Sequence, residues 1–449
     1  MRVHAGMMEK PFWTSRTWIR KTIRVSFGLW ASAGLALATA AVMARSLGPS
    51  RYGGVVLALS ITTLGGMFLD VTLEDGLVRF GFLEIAENRL GRARGLVRAA
   101  LKLDLTIGIA IFLLILVSSA VVSDALTDGE VPSQLIQLAA LNLLFSTANG
   151  TTAGVLSLAR RPDLAAVSAS ITNMARFLGV LAVSGSKDPA LILLSYSSAT
   201  GLGAAVQGFL GWREGNRIWG RIRPQGSIRI WAPRLLKFGL RSSFATTVSA
   251  AHDSTVPVVL GWVAGPTAVA MMRVASLPLT LSSLASGPLR LSAFPEQARL
   301  SASGKLEDLE EGMRLQTLWG VLLGIPAAII GYFILPRLLP LIYSEQYVQA
   351  IRPAQVLLVG AVVLLTIGWA KGFLVALGQP GLLGRIVLFA LAVQISLLLL
   401  FGRMGALGGA IAVSATYVVL VPVWWVVSGT IIGSAASRGT SGNPPQATP

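Results

Sequence analysis

The chain has 449 residues, of which 53% are hydrophobic and only 13% charged, against roughly 25% charged in an ordinary soluble domain. That composition excludes a soluble globular protein. The formal charge of +17 does not imply nucleic acid, because the basic residues lie in loops between apolar segments rather than on one solvated face; the absence of cysteine excludes disulfides, thiolate metal sites and a cysteine nucleophile.

Residues 1–24 form a basic N-terminal stretch that leads into the first apolar run. Ala38 and Ala40 resemble a signal-peptide cleavage site, but a second full apolar run restarts at Tyr52, which favours an uncleaved first helix. Runs near the length needed to cross about 30 Å of hydrocarbon as helix recur to the end of the chain. They predict spans at 25–45, 52–73, 101–122, 133–158, 164–183, 190–210, 235–260, 266–290, 317–336, 354–376, 381–401 and 405–432. All are read as helices, since a lipid-exposed segment must satisfy its own backbone hydrogen bonds. The expected fold is therefore an all-α polytopic membrane protein of about twelve transmembrane helices.

Lysine and arginine gather on the cytoplasmic side of a membrane. Basic blocks at 10–24, 89–102 and 213–237 place the N-terminus inside, and an even number of spans returns the C-terminus to the same side. Asp124, Asp128 and Glu130 then fall in an external loop, while Glu74, Asp75, Glu84 and Glu87 form an acidic set in a cytoplasmic loop, read as a solvated, charge-balanced surface. The basic stretch 211–234 divides the spans six and six and reads either as a hinge between an N-lobe (25–210) and a C-lobe (235–433) or as a segment lying on anionic lipid. Phe-Gly-Leu at 27–29 returns at 238–240, and Gly48-Pro49 returns as Gly265-Pro266, a weak internal repeat. With six spans per half, the pseudo-twofold axis relating the lobes runs along the membrane normal. The Ser-, Gly- and Pro-rich tail 434–449 is expected to be disordered and cytoplasmic.

Polar residues within the spans are costly unless they face the bundle interior or a wet cavity. Helical spacing puts Asn142, Ser146 and Asn149 on one face, and Ser168, Thr172 and Arg176 on another, with Asn173 beside them. Arg273, Ser276, Thr280 and Ser283 form a third stripe, and Ser60, Thr63 and Asp70 a fourth. Hydroxyls and amides of this kind either fasten helices together or line a cavity. Arg176, Arg241 and Arg273 need a buried acid, water or an anionic ligand, and Arg241 lies near enough to a helix end to snorkel. His252, Asp253 and Asp70 are candidates for ion coupling, the alternative for Asp253 being a fixed pair with a buried arginine. The cavity candidates are thus Arg176, Arg273, Arg241, Asn142, Asn149, Thr172, Asn173 and Thr280. No HExxH, Walker-type or GxSxG motif is present, and no hydrophilic segment is large enough for a glycosyltransferase domain, so neither catalytic nor metal residues nor a cofactor are assigned.

Three stretches carry a resemblance to a known family. Arg45-Ser46-Leu47-Gly48-Pro49-Ser50-Arg51-Tyr52-Gly53 is similar to an R-x-L-G-P-x-x-Y-G turn; Asp253, Leu260-Gly261, Gly265 and Val274-Ala275 follow a D…LG…G…VA pattern; and Ala376-Leu377-Gly378-Gln379-Pro380 precedes Gly405-Ala406-Leu407-Gly408-Gly409-Ala410. The chain resembles the polysaccharide-biosynthesis flippases of the multidrug/oligosaccharidyl-lipid/polysaccharide exporter superfamily over nearly its whole length, departing after Asp253, where the family often has arginine and this chain has Ser254-Thr255. The resemblance implies two six-helix lobes around a cavity that opens alternately to either side of the bacterial inner membrane. The implied cargo is a polyprenyl-pyrophosphate-linked glycan for O-antigen, capsule or exopolysaccharide, with membrane lipids and, in the assembly pathway, a polysaccharide polymerase and a chain-length regulator as partners. An ion-coupled small-molecule exporter of the same superfamily and a non-transporting scaffold are the rival readings. A cation exporter would line its cavity with acids, and only Asp70, Asp104 and Asp253 approach the spans.

Overall fold

The computed structural model describes residues 16–69, 73–220, 222–303, 306–377 and 379–439. Among these the chain is helical with no strand, and nine helices are long and apolar enough to cross a membrane. The elements are α1 (Arg16–Leu69), α2 (Glu74–Ala86), α3 (Leu90–Thr127), α4 (Ser133–Ser146), α5 (Asn149–Leu158), α6 (Pro162–Val183) and α7 (Pro189–Trp219). They continue as α8 (Ile228–Ala275), α9 (Leu277–Ala302), α10 (Leu306–Tyr343), α11 (Ile351–Thr366), α12 (Ala370–Ala376), α13 (Pro380–Phe401) and α14 (Ala406–Gly439). Apolar side chains cover the outside of the bundle. Val117 is 82% exposed, and Leu114, Phe333, Leu341 and Leu400 are also exposed, as a surface solvated by lipid tails requires.

The predicted first and second spans form one continuous element, α1, bent at Gly48, and the seventh and eighth begin as one element, α8, bent at Gly265. The bends have nearly the same geometry: φ 73°, ψ 171° at Gly48 and φ 78°, ψ 174° at Gly265. This is a region of backbone space essentially confined to glycine, and each glycine is followed by a proline, which suits the first turn of a helix. The Gly-Pro repeat is therefore a repeated bend. α1 and α8 pack along each other, and a Cβ on Gly53 would lie 1.8 Å from the Pro266 carbonyl oxygen, so only glycine permits this approach. Leu57 fills the space beside Gly261, and Met43, Val55, Leu260, Val269 and Ala270 complete the shared core. α4 and α6 pack on α1, and α11, α13 and α14 on α8.

Three predicted spans are broken. The 133–158 span divides at Thr147 and Ala148 into α4 and α5, where the Ser146 and Thr147 hydroxyls both donate to the Leu143 carbonyl and compete with the helix for it. The 266–290 span breaks at Ser276, two residues before Pro278, and 354–376 breaks at residues 367–369, where Gly368 follows Thr366, whose hydroxyl donates to the Val363 carbonyl. Of the acidic set expected in a loop, Glu74, Asp75 and Glu84 lie instead on α2, and Glu87 caps its end. Glu84 is buried there, with Arg89 Nε at 2.8 Å and Arg92 Nε at 3.4 Å. A buried carboxylate is retained only when paired.

The stretch expected as a 24-residue hinge is mostly helix, leaving only residues 220–227 as connection. That connection is strapped to α3. Gln225 N donates to the Gly91 carbonyl at 2.7 Å, Arg94 Nη1 donates to the Ile222 carbonyl at 2.5 Å, and Gly95 leaves room for the Gln225 backbone. Trp231 is buried beneath it, with the guanidinium groups of Arg92 and Arg234 over its ring at 5.6 and 5.7 Å. At the C-terminus α14 runs to Gly439, beyond the start of the expected tail; residues 440–449 lie outside the described residues.

Candidate functional site

A cavity of about 370 Å³ opens between α1, α4, α6, α7 and α8. Ala36, Thr39, Met43, Tyr52, Ser60 and Thr63 of α1 supply one wall, Asn142 of α4, Asn173 and Arg176 of α6 and Tyr196 of α7 a second, and Ser254, Pro257 and Arg273 of α8 a third. The sequence stripes thus converge: Asn142, Asn173, Arg176 and Arg273 come from three spans to one place. No described lining residue is acidic.

Arg176 is held rather than loose. Its Nε donates to Thr200 Oγ1 at 3.1 Å, its Nη2 to Thr200 Oγ1 at 2.8 Å and to Asn142 Oδ1 at 3.3 Å, and Thr200 Oγ1 in turn donates to Asn142 Oδ1 at 2.6 Å. The guanidinium lies 4.4 Å from the centroid of the Tyr196 ring, in cation–π range. All these partners are neutral, so the positive charge is oriented but not cancelled. Asn173 Nδ2 donates to Ser32 Oγ at 2.6 Å, tying α6 to α1. Arg273 is exposed and lines the cavity together with Tyr52. The cavity hydroxyls of Ser60 and Thr63 donate to the Val56 and Leu59 carbonyls, so each uses its one proton within the helix and can serve a ligand only as an acceptor.

Other candidates go elsewhere. Thr172 lies against Gly203 of α7 and donates to the Ser168 carbonyl, while Ser168 donates to the Gly203 carbonyl. Four-residue steps turn a helix face by about 40° each, so the stripe that ends at Arg176 in the cavity begins against α7. Thr280 is exposed and bonds the Ser276 carbonyl, because the break at Ser276 interrupts the stripe that starts at Arg273. Asn149 begins α5, where its carbonyl accepts from Gln207 Nε2 at 2.8 Å, and it does not line the cavity. Asp70 lies outside the described residues, as do the side chains of Arg241 and Asp253.

His252 lines a different, smaller cavity of about 160 Å³ with Ser283, Lys371, Tyr417 and Trp424, and its ring stands 6.3 Å from that of Tyr417. A third, almost wholly apolar recess between Trp30, Ser32 and Ala33 of α1 and Leu284 and Gly287 of α9 shares Asn173 and Ala36 with the central cavity. Tyr52, Tyr196 and Thr200 are the central residues that stripe-reading overlooked. Tyr196 and Thr200, four apart in a predicted span, carry the same signal as the asparagines.

A bent α1 packed on a bent α8, with a basic cavity beside their contact that no described residue makes acidic, is a fold shared with solved membrane transporters. An inward-facing multidrug resistance MATE family transporter of the MOP superfamily matches with a TM-score of 0.75 at 15% identity, over 90% of this chain and 96% of its own. The lipid II flippase MurJ in its inward closed conformation matches with a TM-score of 0.70 at 14% identity, over 94% of each chain. A MOP superfamily transporter from Pyrococcus furiosus, whose binding pocket is described as having reverse polarity, matches with a TM-score of 0.64 at 15% identity, over 93% and 96%. No curated protein matches in sequence. The profile of the polysaccharide biosynthesis protein family matches residues 42–352, and the chain belongs to that family.

Proposed function

We propose that this protein is a flippase that carries a polyprenyl-pyrophosphate-linked oligosaccharide across the bacterial inner membrane for surface polysaccharide assembly. The observation that carries the reading is the pair Arg176 and Arg273 in one cavity with no described acid. A pyrophosphate is a compact polyanion, and planar guanidinium donors suit it better than an ammonium. Asn142, Asn173, Ser60 and Thr63 offer amide and hydroxyl partners for the first sugar. At about 370 Å³ the cavity sits at the lower end of the ~300–1,000 Å³ range of small-ligand pockets, room for a diphosphate and a neighbouring ring but not for a whole oligosaccharide. Membership of a polysaccharide biosynthesis family and a fold shared with a lipid II flippase support the same cargo class.

In this reading the bends at Gly48 and Gly265 divide α1 and α8 into two rods each, while α4 with α5, the second half of α8 with α9, and α11 with α12 each act as one rod; setting the short α2 aside, this gives twelve rods in two six-rod lobes, with both termini cytoplasmic. The lobes rock about the cavity, the polyprenyl chain stays in lipid, and polymerase and chain-length regulator take the product. His252, with Lys371 nearby, and Asp253 are the groups through which an ion gradient would couple. The test is translocation of a lipid-linked oligosaccharide by the reconstituted protein, compared with Arg176→Gln and Arg273→Gln at matched protein density. Flipping by the unmodified chain and its loss in both variants support the proposal. If the unmodified chain moves no lipid-linked glycan but expels small cations, the exporter takes its place; if it moves neither, the scaffold does.

A further inference from the structure

The end of the bundle that carries Gly48 is shut by contacts among tyrosines. Tyr52, at the start of the second half of α1, is 2% exposed, and its ring meets Tyr347 edge to face, centroids 6.4 Å apart at 82°. Tyr347 belongs to a 3₁₀ turn, Glu345–Ala350, and is fully buried; its hydroxyl donates to the Ala44 carbonyl in the first half of α1 at 3.1 Å. Tyr343, the last residue of α10, stacks beside it at 6.1 Å. Arg45 Nε donates to the Ile342 carbonyl at 2.8 Å and Arg45 Nη2 to the Leu341 carbonyl, closing the C-terminal end of α10 onto α1.

Tyr52 also lines the central cavity together with Arg273, within reach of the Arg273 charge. One side chain thus faces the cavity that holds the Arg273 cation and packs its ring against the closing tyrosine. We infer that Tyr52 is a positioning residue that links occupancy of the cavity to opening of the Gly48 end. An anion that engages Arg273 draws the guanidinium away from Tyr52, since a charged acceptor outcompetes a neutral one. Tyr52 then loses the attraction that fixes its ring against Tyr347, and Tyr347 loses the packing that holds it to Ala44. Ligand moves the equilibrium only through such a difference in contacts between the two states. The inference rests on the anionic cargo proposed above, but its mechanical half is independent of cargo.

The chain has no cysteine, so Ala350→Cys, at a buried position beside Tyr347, gives a single reporter for a membrane-impermeant maleimide, normalised to labelling of the denatured protein. Without ligand, Tyr52→Phe and Arg273→Gln are each expected to raise the labelling rate about tenfold, the factor set by one polar interaction with a charged group, and the double variant to raise it no further. Tyr347→Phe, which removes only the bond to Ala44, serves as a second opening variant if either fails to fold. With farnesyl pyrophosphate, labelling of the otherwise unmodified chain should accelerate, and Tyr52→Phe should abolish that response while still binding the probe. Additive effects of the two substitutions, no effect of Arg273→Gln, or a full ligand response in Tyr52→Phe would each overturn the link. No binding of farnesyl pyrophosphate by the unmodified chain, with the ligand-free results as expected, would overturn the cargo reading and leave the mechanical link standing.

Discussion

Arg176 illustrates how a cation is kept usable inside a membrane. Thr200 accepts two of its hydrogen bonds and Asn142 a third, while Tyr196 offers a ring face; none of these removes the charge. Thr200→Val deletes both acceptor contacts and the bond to Asn142, and is expected to destabilise the protein by about 1–3 kcal/mol, measurable as lower thermal stability in detergent, with flipping reduced at matched density. Arg176→Lys retains the charge but not the fork that spans Thr200 and Asn142, so flipping should fall with little change in expression. A second titratable group has a different consequence. Burial raises the Glu74 carboxyl above its ordinary value of 4.5, and the neighbouring charge of Asp75 adds to it. Glu74 lies just beyond the predicted second span, at the start of α2. Because the folded form holds this proton more tightly than the unfolded one, its contribution is most favourable below the ordinary value and declines as pH rises through the raised one. Glu74→Gln should therefore be more stable than the unmodified chain at neutral pH and lose that advantage near pH 4.5; equal melting curves at both pH values would contradict this.

At the level of elements, the spacing of apolar runs was enough to place nearly every helix, because lipid leaves the backbone no alternative. What it could not supply were the internal breaks. Nothing in hydropathy distinguishes 133–158 from an unbroken helix; the cause is two hydroxyls competing for one carbonyl at Leu143. The same limit governs the site. Asn142, Asn173, Arg176 and Arg273 were legible as interior polar residues, whereas Thr172 and Thr280 share their stripes but face α7 or lie beyond the Ser276 break. Side-chain direction at a helix break is set by the break, which the stripe does not record. The Gly48 and Gly265 bends were visible as a repeated dipeptide, though not as a shared conformation. Alanine at either glycine should cost about 1–3 kcal/mol for its backbone alone. Gly53→Ala places a Cβ 1.8 Å from the Pro266 oxygen and should destabilise the α1–α8 contact by a similar amount or more, read as loss of monodisperse protein after extraction.

For the whole molecule, composition gave the class, and motif order gave the family that the profile over residues 42–352 establishes. Loop length overstated the unstructured part of the connection between the halves, because α7 and α8 extend past their apolar segments and leave only residues 220–227 between them. That short connection has a consequence for how the protein can be made. On one side of the bond between Ile222 and Arg223, Arg94 holds the Ile222 carbonyl; on the other, Gly91 holds Gln225. Each half of the strap is moored to α3 independently, so the peptide bond between them adds little beyond the entropy of a short tether. A bicistronic transcript encoding residues 1–222 and 223–449 as separate polypeptides is expected to yield a complex that co-purifies through an affinity tag on one fragment and still flips cargo. Separation of the fragments in mild detergent would mean that covalent continuity, and not the docked strap, holds α8 in register with α1 and α3.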